Sequence, residues 1–296
     1  LDLEKVSKIP ELIIIENDEA SLDLEKNMVK KKSLIKLYGF NNLTKTLSFN
    51  IYDICYTRDD SERKSYIEYI NQQYNSARLK KILTEVTKII NAKILNIATQ
   101  DYEPQGASVA VLIAEYHDEH GNYISQEETM PGKETLLAHL DKSHLTVHTY
   151  PESFPNNKIS TFRVDIDVST CGEISPLKAL NYLIKSFDSD VITIDYRVRG
   201  FTRDLDGEKR FLDHDIDSVQ DYIDDDIEVN YTTVDMNLAH NNIFHTKMML
   251  NTLVLDNYLF NVQSDQLSEE ETKLIRQEIN QEMVEIFYGM NIPRMK

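Results

Sequence analysis

Apolar and polar residues alternate over 47–56 (LSFNIYDICY) and again through Phe162, Val164, Ile166 and Val168, a period of two that predicts half-buried strands. Shorter apolar or alternating runs predict further strands over 94–98, 108–114, 144–150 and 191–198. Between the first two strands the period lengthens to 3.6. There Leu79, Ile82, Leu83, Val86, Ile89 and Ile90 mark one face of a long helical stretch, and Asp59 with Glu62 gives a capping-box-like start. Ser175-Pro176 opens another helix whose apolar face is Leu177, Leu180, Ile184 and Phe187. A last helix begins at Ser268, with Glu271 closing a capping box, and buries Ile275, Ile279, Met283 and Phe287. Residues 115–134 are polar, contain Gly121 and Gly132, and read as a surface loop. The expected fold class is α/β of the α+β kind: a two-layer sandwich, with a mainly antiparallel sheet covered by helices on one face.

Composition narrows the function. The 296 residues carry 32 Lys+Arg against 50 Asp+Glu, a formal charge of −18. Such a surface argues against a nucleic-acid or anionic-membrane partner, because phosphates need a basic footprint. No run of about 18 apolar residues is present, so no membrane-spanning segment is expected. With only Cys55 and Cys171 there is no disulfide framework, and a reducing cytoplasm is the expected location. Residues 1–35 lack a sustained period and include Lys30-Lys31-Lys32; they read as an N-terminal extension of low or local order. The chain opens on Leu1, so this is not expected to be a native start, and Met28 is an alternative. No linker divides the remainder, and 36–296 reads as one domain.

Three segments could carry chemistry. Three of the eight histidines, His139, His144 and His148, fall within ten residues. His144 and His148 share strand parity, but two histidines without a third ligand are a weak metal signal. Ser143 lacks the G-x-S-x-G elbow of a serine hydrolase, and no phosphate-cradling Gly motif occurs anywhere. Cys171 follows a strand in a Ser-Thr-Cys-Gly turn that can present a thiol at a sheet edge, although buried cysteines are commonly inert. Cys55, within an apolar strand, illustrates that inert class. Arg197 and Arg199 share a strand face and are expected to pair with carboxylates; Asp224-Asp225-Asp226 reads as a solvated helix end.

Taken together, KSHLTVHTYPE, TFRVDIDVSTCGEISPLKALNYLI, DYRVRGFTRD and NIFHTKMML closely resemble the bacterial S-adenosylmethionine decarboxylases, specifically the longer enterobacterial-type subgroup. The resemblance runs from Leu37-Tyr38-Gly39-Phe40 to Phe287-Tyr288-Gly289. It implies an inactive proenzyme that cuts itself between Lys142 and Ser143, giving a 1–142 β chain and a 143–296 α chain. Ser143 becomes a pyruvoyl cofactor that forms a Schiff base with the substrate and accepts the electrons released with CO₂. His148 matches the family histidine that accepts a proton during processing, and an imidazole suits that task. Cys171 matches the proton donor of the decarboxylation. Glu152 matches a family glutamate near the substrate pocket, while aromatic contacts such as Phe49 cannot be chosen from sequence.

Ser143 and His148 are five apart, so a regular strand would put them on opposite faces; the Lys142–Ser143 junction is therefore expected to be a strained turn or bulge. Thr135 stands where shorter members carry a processing serine. The subgroup is associated with Mg²⁺ activation, but no ligands are legible. The implied product supplies the aminopropyl donor for spermidine synthesis, and the protein is expected to be a homo-oligomer, a dimer or tetramer. Two alternatives remain at this level: a pyruvoyl decarboxylase of ornithine or arginine, and a non-cleaving regulatory paralogue.

Overall fold

The long alternating run becomes the middle of the molecule. In the computed structural model, which describes residues 42–115, 143–155, 157–172, 174–204, 206–212 and 215–293, Tyr38–Lys296 belong to one compact unit. The chain order is β1 (Thr44–Tyr56), α1 (Asp60–Gln73), α2 (Ser76–Ile89), β2 (Ala92–Asp101), β3 (Ala107–Glu115), β4 (His144–Ser153), β5 (Ile159–Cys171), α3 (Leu180–Lys185) and β6 (Val191–Arg199). The two-residue strands β7 (Thr202–Arg203) and β8 (Lys209–Arg210), then β9 (Tyr231–Asp235), β10 (Ile243–Leu250) and α4 (Glu269–Tyr288) complete it. Eight strands form one sheet in the order β2-β3-β4-β5-β1-β6-β10-β9, with each neighbouring pair antiparallel.

Alternation assigns the two faces. Leu47, Phe49 and Ile51 of β1, Val164, Ile166 and Val168 of β5, and Ile192, Ile194 and Tyr196 of β6 lie buried in one core with Leu79, Leu83 and Val86 of α2. The intervening positions, among them Ser48, Asn50, Asp165, Asp167 and Asp195, belong to the other face and are polar. This matches the expected sandwich with one addition. α4 crosses to the second face, where Ile275, Ile279, Met283 and Phe287 pack with Ile54, Tyr56, Ile159 and Val191. Each such buried side chain is worth roughly 1.5–3 kcal/mol, so α4 closes one end of that face and leaves the rest polar.

The predicted long helix is two helices. α1 ends where Asn75 caps the second, its side chain accepting from the Arg78 N–H at 2.9 Å. An Asn side chain offers the main chain this non-helical alternative. The capping box at Ser268 is present in full, and Gly289, at φ +67°, ends α4. The β10 strand was not predicted, because its buried positions run Phe244, Thr246, Met248. The Thr246 hydroxyl is tolerated there by donating to Asp235 Oδ1 at 2.7 Å. No helix among the described residues is long and apolar enough to cross a membrane. The predicted loop over 115–134 and the 1–35 extension lie essentially outside the described residues.

Candidate active site

The ends of four strands meet at one edge of the sheet. Thr44, at the start of β1, lies opposite Cys171 on one side and Arg199 on the other. β5 stops after Cys171 because Gly172 takes φ +62°, and its N–H donates to the Leu43 carbonyl at 3.3 Å. The Thr170 hydroxyl secures the turn by donating to the Ile174 carbonyl at 2.9 Å. Across β1, Gly200 at φ +77° brings the end of β6 against Asn42; a Cβ there would lie 2.1 Å from the Asn42 carbonyl oxygen. The backbone overlap requires glycine at Gly200, and Gly172 occupies the left-handed region that glycine favours.

Ser143 sits in this edge, just before β4. Its carbonyl accepts from the Ile113 N–H of β3 at 2.9 Å, and its Oγ accepts from the Cys171 N–H of β5 at 3.0 Å. Only 6% of the residue is exposed. The serine is thus held from both neighbouring strands, and its hydroxyl proton is not needed for either bond. Cys171 is half-buried. The two residues that the sequence singled out, 28 apart in the chain, are brought together. Lys142 lies outside the described residues.

His148 and Glu152 are placed differently. β4 keeps one register with β5 from His144 opposite Ser169 to Ser153 opposite Ser160, without a bulge. At about 3.3 Å per residue, His148 is roughly 16 Å along the strand from Ser143, and Glu152 roughly 30 Å. Glu152 is exposed at the far end, opposite Thr161, so within this chain it is not beside Ser143. The turn or bulge expected at the Lys142–Ser143 junction falls on Lys142, outside the described residues. His148 lies opposite Asp165, whose carboxyl is pushed above the usual range by burial, against the opposing pull of Arg163 and His148. Asp165 accepts from Arg163 at 3.0 Å, and that guanidinium stacks 4.4 Å over the Tyr150 ring. His144, directly after Ser143, shares the polar face with His148, as parity required.

The remaining readings divide. Arg197 and Arg199 form no ion pair among the described residues, contrary to expectation; their cross-strand partners on β1 are Thr46 and Thr44. Asp224 and Asp226 do behave as a solvated helix end and pair with Lys185 at 3.0 Å each. Cys55 is buried, with its thiol pushed up by that burial. Among the described residues no three of His, Cys, Asp and Glu converge as a metal site. The Mg²⁺ associated with the subgroup therefore has no ligand set there, and no chemistry is assigned to it. Sequence reasoning missed the Ile113 and Cys171 main-chain donors, which leave no mark in side-chain identity.

The chain is similar to known proteins over most of its length. A family model described as S-adenosylmethionine decarboxylase matches residues 66–200. S-adenosylmethionine decarboxylase proenzyme of Marinobacter nauticus is 57% identical over 258 residues, covering 87% of this chain and 98% of that one. The proenzyme of Hahella chejuensis is 58% identical, covering 88% and 98%, and that of Clostridium botulinum 56%, covering 90% and 99%. A crystal structure of the Aquifex aeolicus adenosylmethionine decarboxylase aligns at 17% identity and a TM-score of 0.29, covering 54% of this chain and 91% of that one. By its identity to these relatives over nearly their whole length, the chain belongs to the S-adenosylmethionine decarboxylase family.

Proposed function

We propose that the protein is a self-cleaving, pyruvoyl-dependent decarboxylase of S-adenosylmethionine, supplying the aminopropyl donor for spermidine synthesis. The observation that carries this reading is the bond from the Cys171 N–H to Ser143 Oγ, 3.0 Å. It joins the residue that must become the cofactor to the residue that must deliver a proton.

Processing starts with Ser143 Oγ attacking the Lys142 carbonyl carbon; the C–N bond breaks and an ester forms. A base removes the Ser143 α-proton; family position gives this role to His148, although within one chain it lies roughly 16 Å along β4 from Ser143. The Cβ–Oγ bond then breaks, Lys142 leaves as a carboxylate, and a dehydroalanine remains. Addition of water and loss of ammonia leave a pyruvoyl group at residue 143. The residues present fit that group. Oγ departs with Lys142 and Cβ becomes the methyl, so the Cys171 N–H that now serves Oγ would be freed to donate to the ketone oxygen on Cα, while the Ile113 N–H continues to fix the residue 143 carbonyl. When formed, the pyruvoyl group supplies an electron-accepting ketone for decarboxylation. Cys171 holds a proton at the same edge and returns it to the substrate carbon. A half-buried neutral thiol can keep that proton until it is needed.

Cleavage yields the 1–142 and 143–296 chains, which remain associated and assemble as a homo-oligomer in the cytoplasm. Intact-mass measurement with turnover of carboxyl-labelled S-adenosylmethionine tests the proposal. Two fragments and labelled CO₂ are expected. A full-length 34.4 kDa chain that persists through prolonged incubation overturns it, as does preference for ornithine or arginine.

A further inference from the structure

Two arginines near the Ser143–Cys171 edge have no structural employment. Elsewhere among the described residues every arginine is engaged. Arg58, Arg63, Arg163 and Arg210 hold carboxylates, while Arg78, Arg203 and Arg276 hold main-chain carbonyls. Arg197 and Arg199 have no ion pair, hydrogen bond or ring contact there. Both stay open although the chain carries 50 acidic residues against 32 basic ones.

Strand register says what they are near. Cys171 of β5, Thr44 of β1 and Arg199 of β6 are consecutive cross-strand neighbours, and Ser169, Thr46 and Arg197 form the next row. Cross-strand partners share a face, so both rows belong to the polar face of the sheet. Two cross-strand steps put the Arg199 Cα roughly 10 Å from that of Cys171. Between thiol and guanidinium the two rows offer only the short, half-buried side chains of Thr44, Thr46 and Ser169. The third row is acidic but closed on itself. Ser48 donates to Asp167 at 2.5 Å, and Asp195 bonds His245 Nδ1 at 2.7 Å. Gly200, packed against Asn42, fixes the end of β6 on which Arg199 stands.

The substrate carries one anionic group, its α-carboxylate, beside an amine and a cationic sulfonium. If Cys171 protonates the α-carbon, that carbon lies at the thiol, and the carboxylate is bonded directly to it. An arginine extended from β6 across Thr44 can meet such a carboxylate, and a guanidinium matches it with two parallel N–H donors. The same charge repels the sulfonium and so fixes which way round the substrate lies.

We infer that Arg199, supported by Arg197, binds the α-carboxylate of the substrate and is the residue that separates substrate from product. The contact exists only until the carboxylate leaves as CO₂. It therefore strengthens substrate binding without lowering the barrier, and it gives the decarboxylated product no hold.

This inference rests on the decarboxylase reading, and two measurements test it. In the first, the protein as purified is titrated calorimetrically with the deaminated analogue of S-adenosylhomocysteine, which keeps the carboxylate but has no amine to condense. The carboxamide of that analogue serves as the uncharged isostere. The acid is expected to bind about tenfold more tightly than the amide. Arg199→Gln should abolish that preference and Arg197→Gln reduce it several-fold, while Arg199→Lys, which keeps the charge without the fork, should retain part of it. Arg199 is exposed, so its variants should fold. In the second, turnover of S-adenosylmethionine by Arg199→Gln should show KM raised about tenfold with kcat within about twofold of wild type. Inhibition by the decarboxylated product should not weaken. A merely structural role would lower kcat and weaken acid and amide alike. Equal binding of acid and amide to the wild type overturns the inference, as does a preference that survives in Arg199→Gln. Displacement of the acid by equimolar inorganic phosphate also overturns it, by making the pair a general anion site. Failure of the decarboxylase reading shows separately, as an uncleaved chain that releases no labelled CO₂. Failure of the inference alone shows as normal turnover with an unaltered KM in Arg199→Gln.

Discussion

Ser143 is held by main-chain donors on two strands while its own hydroxyl proton is uncommitted among the described residues, and this makes the residue scale the sharpest place to test function. Ser143→Ala removes nucleophile and cofactor precursor together. One uncleaved chain with no turnover is expected by intact mass, and a cut at the same bond would contradict it. Cys171→Ala keeps the N–H that positions Ser143 and removes only the thiol, so cleavage should proceed while turnover falls roughly 10²–10⁴-fold. Unchanged turnover would return Cys171 to the packed thiols. Histidine variants separate family position from geometry. His148→Ala is expected to arrest cleavage and His144→Ala to spare it; the reverse in a cleavage time course would pass the role to the residue beside Ser143. The identities of Ser143 and Cys171 were legible because they stand in distinctive text. The contact between them was not, since it runs through a backbone N–H that any residue but proline supplies. Glu152 shows the converse, a residue legible by position and distant in the fold.

At the scale of elements, what could be read ahead followed from local chemistry. Caps at Asp59 and Ser268 and the alternation of β1 and β5 were visible, because each is decided within a few residues. The break at Asn75 is a local cap onto the Arg78 N–H that the apolar period does not reveal, whereas β10 depended on a partner brought from another strand, Thr246 on Asp235. Ser268→Ala removes a cap whose partner is the Glu271 N–H, and should cost α4 about 1 kcal/mol. Gly200→Ala should cost more, above about 2 kcal/mol, because a positive φ and an overlap with backbone coincide there. Chemical denaturation of the two variants checks both values.

The whole molecule should respond to pH in an unusual direction. Asp190 is buried and pushed up to about 6, mainly by burial. In the unfolded chain an Asp releases its proton near 4, so between those values the folded state binds more protons. Its contribution to stability is therefore fullest below the unfolded value and is lost as pH rises through about 6. Moving from neutral pH to pH 5 should add about 1.4 kcal/mol in the wild type and nothing from this source in Asp190→Asn. Asp53 is raised too and acts in the same sense, whereas Asp59, Asp204, Asp256 and Glu271 are lowered and oppose it in stronger acid. Paired denaturation curves at the two pH values decide the matter; parallel curves would remove Asp190 from the account.

The position of β1 has a consequence for the order of events in the life of the chain. Both its neighbours, β5 and β6, lie downstream of residue 143, while β1 lies upstream. An upstream piece made alone would carry a central strand with no sheet around it. A downstream piece made alone would carry a sheet with a slot where that strand belongs. Covalent continuity is therefore needed while the strands are being threaded and becomes dispensable once they are. Pieces separated in denaturant should regain their structure only when refolded together, so the uncut chain serves as a jig for its own assembly.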